Sequence, residues 1–532
     1  MSDILFANTY FLKHDLKEYR NMNLYAPLGT LYAAAYVMQK GYSAALFDTM
    51  LADSEEDLKA SLELHKPKYM VIYDDTFNYL TKMCLTRMRE AAFRMSEIAK
   101  EFGCTVIVSG SDSVDHLEKY FHHKVDYAIC GEGEQTLGEL LDHFSARSAA
   151  TKQSHEDKSF ARNEVTKQSQ EDKPFARSAA TKQSQEDTPF ARNEVTKRVP
   201  SGSSHEQSQP HKINGLAFIE NGKITRTAPR KVLKELDSLP YPAWELVDLA
   251  KYRELWLKHH GYFSMNLVTT RGCPFHCNWC AKPVYGQVYN SHSPEYIAGQ
   301  VKLLKEKYSA DHIWFCDDIF GLKPGWVAEF DEAVNKDNIK LPFKCLSRAD
   351  LLLKEDNISH LASAGCESIW IGAESGSQKI LDAMDKGTTI EEIYEATRLL
   401  KKHSIKTCFF LQFGYTGETM TEINQTIKMV NDLMPDDIGI SVSYPLPGTK
   451  FYERVSSQMK KKHNWELSDD FEMMFDGTYS TEFYRVLHKR VHKEYRTRQL
   501  LHEPLKRFTS LWKLPVYAAG WVASSRKLKT LK

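Results

Sequence analysis

The 532-residue chain has no apolar run long enough to cross a bilayer: the longest, 31–38 and an interrupted 514–523, fall well short of the ~20 residues a spanning helix needs. It also lacks an excess of either charge. Lys and Arg number 70 and Asp and Glu 70, so no global field selects nucleic acid or anionic lipid as a partner. The first residues, Met-Ser-Asp-Ile-Leu, have no basic stretch leading into an apolar core, so a secretory leader is not expected and the chain is read as cytoplasmic. Ten cysteines in a chain this long and read as intracellular are expected to be free thiols or metal ligands rather than a disulfide framework.

The length allows two to four domains. Hydrophobic residues make up 42% and charged residues 26%, ordinary for a globular protein, but the mean hydropathy of -0.48 is more polar than that fraction suggests. The diluting segment is 146–200, where Ala-Arg recurs at 146, 161, 176 and 191 and Lys-Gln-Ser at 152, 167 and 182, a period of 15. Each unit offers one apolar ring, Phe160, Phe175 or Phe190, among polar residues, so it has nothing to stack into a core. A disordered insert over 146–211 is expected.

Before the insert, short apolar runs at 4–7, 44–47, 69–73, 105–108 and 127–130 alternate with helical segments such as 28–39 and 83–102. That alternation predicts a doubly wound, Rossmann-like parallel sheet over 1–145, with its ligand beyond the carboxyl ends of the strands. The runs 216–220 and 223–227 flank Asn221-Gly222, a tight-turn signal, and predict a hairpin within a linker at 212–260. Six further strands, 266–270, 312–316, 343–346, 368–372, 407–413 and 438–442, alternate with helices at 294–307, 358–364 and 390–403. They predict a partial (β/α)6, TIM-like barrel over 261–455, followed by a mainly helical C-terminal region, 456–532.

The first barrel strand ends in Thr-Thr-Arg-Gly-Cys273-Pro-Phe-His-Cys277-Asn-Trp-Cys280. Three thiolates on one loop suit an iron–sulfur cube with one open iron; a zinc staple is the competing reading. This loop, with Trp279 before its last cysteine, resembles the signature of the radical S-adenosylmethionine (SAM) superfamily. The resemblance implies that Cys273, Cys277 and Cys280 bind a 4Fe–4S cluster whose open iron is chelated by SAM, which is cleaved reductively to a 5'-deoxyadenosyl radical. It also implies an external electron donor such as flavodoxin or ferredoxin. SAM contacts are expected from Trp279, from Asp317 and Asp318 after strand two, and from Arg348 after strand three. Glu374 and Ser375, in a Gly-x-Glu-Ser-Gly-like turn after strand four, and Gln412 in strand five complete that set. The turn Gly414-Tyr415-Thr416-Gly417-Glu418-Thr419 matches the family's Gly-x-Pro-Gly-Glu-Thr, except for Tyr415-Thr416.

The N-terminal half resembles the branch in which a cobalamin-binding domain precedes the barrel, as in radical SAM methyltransferases and the anaerobic magnesium-protoporphyrin monomethyl ester cyclase family. The matching segments are Ala26-Pro27-Leu28-Gly29-Thr30, Gly131-Glu132-Gly133-Glu134 and Leu239-Pro240-Tyr241-Pro242-Ala243-Trp244. Cobalamin contacts are expected from Thr30, Ser109, Gly110, Gly131 and Glu132. Two departures stand against this: no Asp-x-His-x-x-Gly motif follows strand one, and Ser109-Gly110-Ser111 replaces the usual Gly-Gly turn. The reading is a radical SAM enzyme that methylates or oxidatively cyclises an unactivated carbon of a small molecule. Its competitors are a cobalamin-free radical SAM enzyme and a zinc-stapled interaction protein. No side chain names the substrate or a catalytic residue acting on it. In the C-terminal region Tyr479 and Tyr484 are candidate substrate contacts. The tail 511–532 mixes apolar and basic residues as a membrane-surface element would, although Pro515 and Gly520 are expected to break its helix.

Overall fold

The computed structural model describes residues 2–78, 83, 85–147, 210–282, 284–505 and 507–531. Of the expected insert, residues 148–209 lie outside the described residues.

Strand β1 (Ile4–Ala7) is buried throughout, as a parallel strand covered on both faces requires. With β2 (Ala44–Leu46), β3 (Tyr69–Tyr73), β4 (Thr105–Ser109) and β5 (Tyr127–Ile129) it forms a parallel sheet. The hairpin is not a linker element. β6 (Leu216–Glu220) pairs antiparallel with β5, and β7 (Lys223–Arg226) follows, giving a seven-stranded sheet of order β2-β1-β3-β4-β5-β6-β7. Asn221 and Gly222 both take positive φ (51° and 74°), the tight turn whose twist matches the flanking strands. Edge pairing was invisible in the sequence because alternation in two short strands does not say which neighbour they add to.

A second sheet comprises β8 (Ser264–Leu267), β11 (His312–Phe315), β12 (Phe343–Ser347), β13 (Cys366–Glu374), β14 (Lys406–Phe413) and β15 (Asp437–Val442), all parallel in the order β15-β14-β13-β12-β11-β8. The first barrel strand is shorter than the expected 266–270. Thr269 gives its backbone N–H to the Asp317 carboxylate (2.8 Å), and the chain resumes as β9 (Thr270–Arg271), paired antiparallel with β10 (Asn290–Ser291). The cysteine loop is thus strung between two short strands. Capping boxes at Thr389/Glu392 and Thr419/Glu422 start the helices Ile390–Lys402 and Met420–Leu433.

The barrel's hydrophobic core takes in Leu28, Leu31 and Tyr32 of the first helix that crosses the first sheet, packed with Trp244, Trp256 and Trp326, whereas Leu5, Met70 and Val106 of the first sheet's strands pack in a core of their own. Polar contacts fix that junction: Trp256 Nε1 donates to the Leu24 carbonyl (2.6 Å) and Asn266 Nδ2 to that of Ala26 (2.9 Å). No helix among the described residues is long and apolar enough to cross a membrane.

The C-terminal region is irregular from 459 to 480 and helical from Thr481, in the pair Thr481–His502 and Leu514–Thr530. The second helix forms despite Pro515 and Gly520. Pro515 lies in its first turn, where no carbonyl awaits its missing N–H. Gly520 sits where a Cβ would stand 3.3 Å from Cγ and Cδ of Lys493, so it lets the two helices approach.

Candidate active site

The cysteine loop is held by the residue between its second and third thiols. Asn278 is buried, and its backbone N–H donates to the Met384 carbonyl (3.0 Å) while its carbonyl accepts from Phe451 N–H (2.9 Å). Its side-chain Nδ2 donates to the Ala383 carbonyl (2.8 Å) and to Asp385 (3.0 Å), and its Oδ1 accepts from the Tyr415 hydroxyl (2.7 Å). Tyr415 therefore has a use that its departure from the Gly-x-Pro-Gly-Glu-Thr pattern conceals. It ties the turn after β14 to the loop and stacks on Phe451 (4.8 Å between ring centroids). Asn278 carries no sequence signal beyond its place between Cys277 and Trp279.

Cys273 is buried against Ile319 and Leu351, with Phe275 and Leu322 around it; Cys277 and Cys280 are half-buried. Burial and the nearby Asp318 carboxylate push the Cys280 thiol up to about 12, and the other two cysteines add to this, while burial raises Cys273 as well. Two buried thiols that resist ionisation, Cys273 and Cys280, need a polycation to take their protons. Among the described residues no three His, Cys, Asp or Glu side chains converge on one ion.

Asp317, at the carboxyl end of β11, is buried. Its Oδ1 accepts from Thr269 N–H (2.8 Å), Thr269 Oγ1 (2.9 Å) and Thr270 Oγ1 (2.6 Å), and its Oδ2 is buried without a partner. Burial pushes its carboxyl up to about 6. Asp318 is exposed and faces the thiols electrostatically. Gln412 donates through Nε2 to Ser443 Oγ (3.0 Å) and leaves Oε1 buried and unpartnered; Trp279 Nε1 is likewise buried without a partner.

Arg348, Glu374 and Ser375 are more committed. Arg348 pairs with Asp350 (2.9 Å), donates to the Gly387 carbonyl (3.1 Å) and Thr388 Oγ1 (3.0 Å), and lies 3.7 Å over the Phe275 ring, so it braces the cysteine loop. Buried Glu374, at φ 57°, accepts from Lys386 Nζ (2.9 Å). Ser375 Oγ meets Thr426 Oγ1 (3.1 Å) and accepts from Ser377 N–H (3.2 Å). Lys386, from an inter-helix loop, was missed because a lysine there reads as solvated. The adjoining Gly376 is dictated by space: a Cβ would stand 2.5 Å from the Gln425 carbonyl oxygen and 2.7 Å from Thr426 Cα. Gly376→Ala is therefore expected to cost about 1–3 kcal/mol, read as a lower denaturation midpoint.

On the first sheet, the residues expected at a corrin mostly serve the protein's own packing. Thr30 Oγ1 donates to the Tyr73 carbonyl (2.6 Å). A Cβ at Gly110 would stand 2.4 Å from Asp74 Oδ2, and one at Gly133 2.5 Å from the Tyr73 hydroxyl, so both glycines make room for β3 and its following turn. Ser109 ends β4 and its carbonyl accepts from Asp74 N–H (2.8 Å); Gly131, at φ 98°, has only the Val284 carbonyl near a Cβ, at 4.0 Å. Glu132 is paired with Arg271 and accepts from Leu233 N–H, while Glu134 takes the other Arg271 nitrogen (2.8 Å). Arg271 is buried, with its guanidinium carbon 5.3 Å from the Tyr285 ring centroid and 5.7 Å from that of Tyr32. It stands two residues before Cys273, so this cluster links the sheet's ligand edge to the cysteine loop. Asp74, pushed up to about 7 by burial, accepts from Thr9 Oγ1 (2.6 Å) at the same edge.

An open parallel barrel whose first strand leads into a three-cysteine loop, preceded by a doubly wound sheet, defines a class of cofactor-dependent α/β protein. Residues 267–430 match the Radical SAM superfamily model and are a radical SAM domain. The chain is 28% identical over 255 residues to an uncharacterized methyltransferase of Pyrococcus horikoshii, covering 48% of this chain and 54% of that one. It is 27% identical over 249 residues to the anaerobic magnesium-protoporphyrin IX monomethyl ester cyclase of Synechocystis sp., covering 47% and 49%. It thus spans about half the length of these relatives. The fold is similar to that of the cobalamin-dependent S-adenosylmethionine radical enzyme OxsB with aqua-cobalamin bound, at TM-score 0.66 and 14% identity, covering 100% of this chain and 80% of that one.

Proposed function

We propose that the chain is a radical SAM enzyme that methylates or oxidatively cyclises an unactivated carbon of a small molecule, with a 4Fe–4S cluster on Cys273, Cys277 and Cys280 and cobalamin over the carboxyl edge of the first sheet. The cluster and SAM supply reductive cleavage of a sulfonium, and cobalamin a transferable methyl group. The observation that carries this reading is the radical SAM domain at 267–430, whose three-cysteine loop is held by Asn278 beside a buried acceptor of Asp317 that lacks a partner. Asp317 Oδ2 suits an ammonium, and Gln412 Oε1 and Trp279 Nε1 offer one acceptor and one donor more in the same barrel. Arg348 and Asn278 hold the loop rather than the substrate.

At the first sheet's carboxyl edge, Gly131 leaves its backbone open and Asp74 is neutralisable, which suits a large neutral-to-anionic ring system. The cobalamin domain spans 1–145 together with the hairpin that joins the first sheet, the radical SAM barrel 261–455 and the C-terminal region 456–532. An external one-electron donor is part of it.

Anaerobic reconstitution tests the whole. Iron and sulfide near four each per chain, corrin uptake, and 5'-deoxyadenosine from SAM and a reductant are expected. Iron and sulfide without corrin uptake would leave a cobalamin-free enzyme; zinc alone would end the reading. A finer test concerns Asp317. Its folded-state carboxyl, at about 6 against the ordinary 3.8, makes the SAM-free chain lose stability as pH rises through that window. Asp317→Asn is expected to remove this pH-dependent loss while weakening SAM binding by at least about tenfold, the worth of one charge-assisted hydrogen bond. Calorimetric titration with SAM and melts at pH 4 to 8 measure both.

A further inference from the structure

The facing ends of the two C-terminal helices and the segment that joins them expose large apolar side chains in sequence: Leu501 (62% exposed), Leu505 (90%), Phe508 (74%), Trp512 (71%) and Val516 (59%). A soluble surface scatters such residues singly; five within sixteen positions form a patch that asks for a cover. The surrounding charge is of one sign. From Arg485 to Lys532 the chain carries thirteen Lys and Arg against two Glu, although the totals for the whole protein balance at 70 and 70. Both glutamates are already spent, Glu494 on Arg490 and Arg498 and Glu503 on Arg507. Lys489, Lys513, Arg526 and Lys529 enter none of the ion pairs found among the described residues. Lys513 Nζ stands 5.4 Å from the Trp512 ring, the aromatic and cationic pairing of a water–lipid boundary.

We infer that this surface docks the protein onto an anionic lipid bilayer, lying on it without crossing it. A symmetric self-interface is the poorer cover, because two such patches would set cation against cation. A nucleic acid would use the cations but not the aliphatic side chains, which offer no stacking face. The anchor also orients the barrel. Tyr495 donates to the Pro435 carbonyl (2.7 Å), Gln499 to that of Asp436 (3.0 Å), and Arg496 pairs with Asp437, the first residue of β15. The exposed segment therefore continues from the amino ends of the barrel strands, whereas the cysteine loop, Asp317 and Glu374 stand at the carboxyl ends. Docking holds the barrel floor to the lipid and turns the mouth toward water. None of this depends on the cluster or on cobalamin.

Sedimentation of the full chain with vesicles tests the inference, using phosphatidylcholine alone and phosphatidylcholine with about a third phosphatidylglycerol. At least about tenfold more protein is expected on the anionic vesicles, falling sharply at about 0.5 M salt. Leu505→Glu/Phe508→Glu/Trp512→Glu, at exposed sites that leave the fold and its circular dichroism unchanged, is expected to abolish binding. Lys513→Glu/Arg526→Glu/Lys529→Glu is expected to reduce it to the level on neutral vesicles. Equal binding to both vesicle types, an unaffected apolar triple variant, or a dimer in ultracentrifugation that the triple variant dissolves without any vesicle binding would each overturn it.

Discussion

Cys277→Ala is expected to leave a folded chain that retains little iron and sulfide and forms no measurable 5'-deoxyadenosine, a loss of a thousandfold or more, about 4 kcal/mol of barrier. Cys277 is half-buried on a loop outside the hydrophobic core, so its sulfur contributes little to packing. The loop's position comes from Asn278 and Tyr415, whose hydrogen bonds the substitution leaves in place. Stability and activity should therefore separate: the denaturation midpoint holds while the reaction disappears. Metal analysis, the visible absorption of the reconstituted protein and product chromatography check this. An alanine variant as active as wild type would remove the basis for the whole functional reading.

Arg271→Met is expected to be the most destabilising single change near the site, at about 3–5 kcal/mol, because it strands two buried carboxylates without their counter-ion. Glu132 is held above its ordinary value by burial, with Arg271 the main opposing influence, so removing the guanidinium lifts it further. The sign of the pH effect follows. A carboxyl whose folded value lies above its unfolded one gives most stability below the unfolded value and loses it as pH rises, so the variant should regain stability on acidification toward pH 4.5. Adding Glu134→Gln should return part of the loss at neutral pH, since the two sites share one charge cluster. Denaturant titrations at pH 5 and pH 8 separate this from simple loss of packing against Tyr285, which pH would not restore.

How much of this was legible beforehand depended on whether a feature is local. The three cysteines at 273, 277 and 280, the alternation of short strands and helices, and the Asn221-Gly222 turn are short-range patterns, and the chain folds them as read. The expected SAM set divided once packed. Asp317, Gln412 and Trp279 keep buried atoms without partners, whereas Arg348, Glu374 and Ser375 are held by Asp350, Lys386 and Thr426. On the first sheet, Gly110 and Gly133 looked like room for a ligand and are room for Asp74 and Tyr73. Pro515 looked like a helix breaker and begins a helix.

By itself, then, the sequence determined the thiol spacing, the order of strands and the local surplus of cations near the C-terminus, because each is set by neighbours along the chain. Only the tertiary structure decided which carboxylates are spent on arginine, that the hairpin extends the first sheet, that Asn278 and Tyr415 hold the cysteine loop, and that the apolar C-terminal residues face outward. Those outcomes depend on contacts between residues tens to hundreds of positions apart, and burial, pairing and exposure exist only once such residues meet.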